Sequence, residues 1–196
     1  MTTKNLPVAG LRLAKIAVGG AVLLGLGAAS MAYAKPADNL PTVEKVELDR
    51  YLGKWYEVAR KPLSFQKKCD RDVTAMYTLN ENGNIKVDNR CFTKAGEQTG
   101  SVGEAYVQNA PYNTKLKVSF LPEVIRWLPV GRGDYWVLKI DDDYQTVLVG
   151  EPKRKYMWVL SRTPNPDQKV VGEYLEYAKS VGYDLGDVIH TKQTQK

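Results

Sequence analysis

Between Gly53 and Arg60 the chain reads Gly53-Lys54-Trp55-Tyr56-Glu57-Val58-Ala59-Arg60, and its residues alternate in character. Trp55, Glu57 and Ala59 fall on one face of an extended backbone and Tyr56, Val58 and Arg60 on the other. That period of two marks a strand between two environments. The glycine before Trp55 lets another backbone or a bulky ring come close. Further runs of the same kind follow over residues 73–79, 84–92, 101–108, 115–120, 135–141, 146–150 and 155–162. Asn80-Glu81-Asn82-Gly83 joins the second run to the third, a tight Asn/Gly loop that predicts a β-hairpin. Eight sequential strands on short connections predict an all-β fold, either an up-and-down barrel or a sandwich.

After Arg162 the period changes. Asn165 is placed to cap a helix, Pro166 suits its first position, and Gln168 stands where a capping box takes Glu or Gln. Val171, Leu175 and Ala178 recur at helical spacing, with Lys179 in the last turn and Gly182 as the stop. One helix packed outside the barrel is expected. Val188-Ile189 offers a short extra strand, and residues 191–196 read as a flexible tail.

The first 34 residues have another logic. Residues 1–15 hold Lys4, Arg12 and Lys15 and no acid, 16–30 are apolar and Gly/Ala-rich, and Ala32-Tyr33-Ala34 is an A-x-A site. Residues 1–34 therefore read as a signal peptide cut before Lys35, with an uncleaved anchor as the alternative. Residues 35–48 form an extended lead-in, and Asp49 is expected to cap one helical turn before the first strand. The domain proper is residues 49–190. Taking those three cations from 28 basic residues leaves 25 against 22 acids, a net +3. So weak a balance gives no reason to expect nucleic acid as a partner.

Catalytic and metal chemistry find little support. His190 is the only histidine and no Cys/Glu cluster surrounds it, so neither a zinc site nor a Ser-His-Asp triad assembles. Asp141-Asp142-Asp143 lacks the glycine and terminal glutamate of a calcium loop, and Gly131-Arg132-Gly133 is too short to cradle a phosphate. No cofactor and no metal are expected. Cys69 and Cys91 are the only cysteines. In an exported chain an even pair flanking the first hairpin reads as a disulfide, with two free thiols as the alternative.

In this order the motifs resemble those of the lipocalins. Gly53-Lys54-Trp55-Tyr56 opens the first strand, Asp142-Asp143-Tyr144 precedes Val147-Leu148-Val149, and Arg162 follows the eighth strand. The resemblance covers about residues 45–190. Trp158-Val159-Leu160-Ser161-Arg162-Thr163-Pro164 is similar to bacterial outer-membrane-lipoprotein-type lipocalins and to apolipoprotein D. It implies an eight-stranded antiparallel up-and-down barrel, open at one end and holding one hydrophobic ligand. It also implies that Trp55 plugs the closed end under Arg162, with Gly53 allowing the approach. No cysteine lies near the cleavage point, so a lipid anchor is not expected.

Phasing the strands from Trp55 and Arg162 gives candidate ligand-binding positions. They are Glu57, Ala59, Ala75, Tyr77, Asn89, Ala105, Val118, Phe120, Trp136, Leu138, Val149, Tyr156 and Trp158. Apolar walls with a few polar groups suit a fatty acid or a lysophospholipid. Small residues such as Ala59, Ala75 and Ala105 leave volume unfilled. The loop at 121–133 carries Leu121, Val124, Ile125, Trp127 and Leu128, which predicts a cover for the mouth or a peripheral membrane contact. Arg126 or Arg132 would then meet a phosphate or carboxylate at the rim. A periplasmic carrier, with outer-membrane association as an alternative, is expected, and not an enzyme. The competing readings are a lipid-modifying enzyme using Glu57 and an interaction protein with a filled barrel.

Overall fold

A computed structural model describes residues 39–194, so the leader reading and the start of the lead-in lie outside the described residues. Eight strands form the wall: β1 (Gly53–Arg60), β2 (Arg71–Leu79), β3 (Ile85–Phe92), β4 (Gln98–Val107), β5 (Lys115–Ser119), β6 (Arg132–Ile140), β7 (Thr146–Gly150) and β8 (Met157–Ser161). Each pairs antiparallel with its sequence neighbour, and β1 also pairs with β8, which closes the sheet on itself. Closure leaves no long free edge for another chain to pair with. The β2–β3 register, Leu79 opposite Ile85, fixes the expected hairpin, and Gly83 takes the left-handed conformation its turn requires. A short β9 (Ile189–His190) pairs with Ala59 and Arg60 of β1.

Apolar residues collect in two layers. The inner cluster faces the barrel interior with Trp55, Tyr77, Val87, Leu116, Val137, Val147, Val149 and Leu160, among others. The outer cluster lies between the wall and the helix α2 (Gln168–Ser180), where Ala59, Leu138, Leu148, Met157 and Val159 meet Val171, Tyr174 and Ala178. Gly150 lets this second layer close: a Cβ there would collide with the Tyr183 hydroxyl, which donates to the Glu151 carbonyl at 3.1 Å and accepts from its N–H at 2.9 Å.

Several ends differ from the sequence expectation. Asp167, not Asn165, caps α2, accepting from the Lys169 N–H at 2.9 Å. The first helical turn, α1 (Leu48–Tyr51), starts after Glu47 without a side-chain cap, so Asp49 lies inside it. The described lead-in is packed rather than loose: Leu40 and Val46 are buried, and the Val43 N–H donates to the Val137 carbonyl at 3.0 Å. Residues 191–194, expected as a flexible tail, are bonded to β1 and β2. Their polar side chains carry no apolar signature, which is why the sequence hides them.

Candidate functional site

The two ends of the barrel are built differently. At one end Trp55 is fully buried and donates its indole N–H to the Tyr51 carbonyl at 2.8 Å. The Arg162 guanidinium lies 3.8 Å from the centre of the Trp55 ring, a cation–π contact. It also donates to the carbonyls of Lys54 (2.8 Å), Arg50 (2.6 Å), Tyr51 (3.1 Å), Leu52 (2.9 Å) and Tyr144 (3.3 Å). Four of these carbonyls lie where the chain enters β1 and the fifth, that of Tyr144, in the turn between β6 and β7, so one side chain ties two turns together. Gly53, at φ +94°, suits this turn: a Cβ there would only touch the guanidinium, at 3.4 Å, but a side chain at that φ would strain the backbone.

Above the plug lies a cavity of about 810 Å³, within the 300–1,000 Å³ typical of ligand pockets. Three tyrosines form a polar patch on its wall. The Tyr51 and Tyr135 hydroxyls are 2.6 Å apart, those of Tyr77 and Tyr135 3.1 Å, and the rings of Tyr51 and Tyr77 stack at 5.8 Å. Burial pushes the Tyr51 and Tyr135 phenols well above their ordinary range and Tyr77 up to about 12, so all three are neutral donors and acceptors at physiological pH.

Glu57 is a buried carboxylate of the wall that also lines the cavity. Burial raises its pKa, opposed by bonds from the Gln66 amide (2.7 Å), from the Thr191 hydroxyl and by the Arg60 charge. Arg60 Nε lies 3.1 Å from the carboxylate but off the hydrogen-bond axis, so the contact is an ion pair without a hydrogen bond. Its ligands make Glu57 part of the wall's own framework.

The other end is open. The connections 61–70, 93–97, 120–131 and 151–156 surround it, and Cys69 is joined to Cys91 by a disulfide that ties the first of them to β3. Phe65 (62% exposed), Val124 (81%) and Trp127 (71%) face solvent here. Lys68, Lys153 and Lys155 border the cavity and are exposed. Arg126 and Arg132, the candidates to meet an anion at the rim, are bonded to the loop, and Arg132 also lines the cavity. Arg126 donates to the carbonyls of Leu121 (2.9 Å) and Val102 (3.1 Å), while Arg132 donates to that of Trp127 (3.1 Å) and stacks on Tyr106 at 4.0 Å.

Of the candidate positions, Glu57, Ala75, Tyr77, Asn89, Ala105, Val118, Phe120, Tyr156 and Trp158 line the cavity, and Val149 is buried in the inner cluster. Ala59, Trp136 and Leu138 do not point inward. In β1 the register against β8 shifts between Glu57 and Ala59, which turns Ala59 out toward the helix layer. In β6 a shift between Val137 and Lys139 makes Leu138 the extra residue. Trp136 and Leu138 therefore face outward while Tyr135 and Val137 face in, and beyond the bulge Ile140 returns to the inner cluster. Trp136 instead lies under the Lys115 ammonium at 4.1 Å. Tyr51 and Tyr135, missed by the alternation, are cavity residues. Only the bulge in β6 separates Tyr135 from a correct phase.

Residues 46–193 match the model of the lipocalin-like domain. The chain is 40% identical over 158 residues to temperature-induced lipocalin-1 of Arabidopsis thaliana, covering 80% of this chain and 84% of that one. It is 35% identical to the outer membrane lipoprotein Blc of Escherichia coli K12, covering 81% and 85%. Among solved structures, insecticyanin from the tobacco hornworm Manduca sexta superposes with a TM-score of 0.61 at 20% identity, covering 79% and 84%.

Proposed function

This chain belongs to the lipocalin family, whose members bind small hydrophobic ligands, and from that premise we propose that it is an exported carrier or store of a single-chain amphipathic lipid. A fatty acid or a lysophospholipid is the class we favour. The observation that carries this is the cavity itself: about 810 Å³ of space, apolar walls, and polar groups confined to the tyrosine patch, Glu57, Asn89 and the rim. We read Glu57, Ala75, Tyr77, Asn89, Ala105, Val118, Phe120, Tyr156 and Trp158 as ligand contacts. Tyr51 and Tyr135 join them, and Gly53, Trp55 and Arg162 serve as the structural plug.

Export into the bacterial periplasm is supported by the leader-like residues 1–34 and by the disulfide, which suits an oxidising compartment. Binding rather than catalysis is supported by Glu57, whose oxygens are already engaged by Gln66, Thr191 and Arg60 and so are not free for acid–base work. The exposed Trp127 loop supports peripheral contact with a membrane during loading. Replacing Trp127 by alanine should weaken vesicle binding; unchanged vesicle binding and lipid affinity together would remove this part of the reading.

Native mass spectrometry of the secreted protein, with extraction of any bound molecule, tests the whole. A stoichiometric fatty acid or lysophospholipid is the expected result. A protein of bare mass that also fails to take up a fluorescent fatty acid would mean a filled barrel and would overturn the carrier reading.

A further inference from the structure

The barrel wall is not uniform between β1 and β2. At the plugged end the two strands pair directly, from Gly53 opposite Tyr77 to Tyr56 opposite Thr74. Beyond that they diverge, and residues 189–194 run between them. On one side this segment pairs antiparallel with β1, Ile189 opposite Arg60 and His190 opposite Ala59, and the Thr191 N–H donates to the Val58 carbonyl at 3.0 Å. On the other side it lies parallel to β2: the Asp72 N–H donates to the Lys192 carbonyl at 2.8 Å, and Thr194 bonds the Asp72 carboxylate. The Gln193 amide spans the seam, donating to the carbonyls of Glu57 (2.8 Å) and Val73 (2.9 Å). With one strand inserted, β1 and β2 stand two strand spacings apart at this level, about 10 Å.

The inserted segment is held unlike the other staves. It has two ladder residues, two further backbone bonds through Thr191 and Lys192, otherwise bonds from polar side chains, and none of its residues is buried. Segments with few buried apolar contacts open locally at low cost. Behind it lie cavity residues: Glu57, which accepts from the Thr191 hydroxyl, and Val73 and Thr74 at the start of β2. Lifting the segment would leave a slot one strand wide from solvent into the cavity, away from the mouth.

We propose that residues 189–194 gate a lateral port between β1 and β2 through which the acyl chain of a lipid ligand enters and leaves the cavity. The inference rests on the carrier reading above and adds its route. Gln193 and Thr191 are the latch. Gln193 bridges the two strands, and Thr191 joins the segment to the cavity wall through Glu57.

The test uses the full chain and a dansyl-labelled fatty acid followed by stopped-flow fluorescence. Gln193→Met keeps the side-chain volume but removes the bridging donor; Thr191→Pro removes the N–H to Val58 and the hydroxyl to Glu57. Both association and dissociation should quicken together, by about ten-fold for Gln193→Met and more for Thr191→Pro, with the affinity nearly unchanged, because a gate alters the path and not the bound state. Hydrogen exchange at the Asp72 amide should rise in both variants, and at the Thr191 amide in Gln193→Met, while the plugged end stays protected. Rates that do not change although these amides lose protection would overturn the port and leave the mouth as the route. A fall in affinity with unchanged association would do the same, making the segment a wall and not a gate. A wild-type protein that takes up no probe refutes the carrier reading instead, and the exchange data then report the segment's opening independently.

Discussion

The plugged end and the open end of the barrel use similar residue types to opposite purposes. At the plugged end a tryptophan is fully buried, its indole is bonded, and an arginine over it donates to five carbonyls. At the open end a tryptophan is 71% exposed, and two arginines donate to carbonyls of its loop. Charge and aromatic surface stabilise the fold where water is excluded and remain available to a partner where it is not. The stability of this molecule should therefore reside at the plug, and the surface open to a partner at the rim.

Substitutions should separate the two ends by size of effect. Trp55→Ala removes the plug and should cost about 3–5 kcal/mol, read as a fall in the guanidinium unfolding midpoint. A loss under about 1 kcal/mol would mean the plug is not the keystone of that end. Cys69→Ser with Cys91→Ser should cost about 3 kcal/mol, since the bridge closes a loop across 22 residues; urea unfolding with and without reductant measures it. That effect belongs to the rim, and a value matching Trp55→Ala would blur the contrast.

Alkali offers a third, milder probe. Buried neutral phenols with raised pKa values contribute stability that is present below the unfolded value of 10.0 and lost as pH rises through the folded value, about 12 for Tyr77. Absorbance near 295 nm should show exposed tyrosines ionising first and the Tyr51–Tyr77–Tyr135 group only together with unfolding. Early ionisation of the Tyr51–Tyr77–Tyr135 group would contradict the sealed floor. The smallest effect is expected for Trp127→Ala, within about 0.5 kcal/mol of wild type by thermal unfolding. A larger loss would show that the exposed loop holds the barrel together.

Much of this was legible in the sequence. The Asn80–Gly83 loop gave away its hairpin because only a few residue types tolerate that turn, and Gly53, Trp55 and Arg162 set the phase of the two strands they flank. Strand β6 was misread for a physical reason. Its outer face is covered by α2, so Trp136 and Leu138 are as apolar as the inward Tyr135 and Val137, and alternation carries no sign when both faces are buried. Ala59 was lost to a bulge, which leaves no compositional mark in so small a residue. The segment 191–194 was invisible because it is recruited through backbone carbonyls and polar side chains, which hydropathy does not register.

The split in β1 also sets an order of events. Its first half finds a partner about twenty residues away in β2, but Glu57 must wait for Leu160 and for Thr191, 134 residues further along. Contacts of such sequence separation come late, because the loop entropy must be lost before they form. The first strand to be made is thus among the last to be completed, and the hairpins from β2 to β8 can assemble before the circle shuts. A chain built this way stays open along one seam until residues near 190 are in hand.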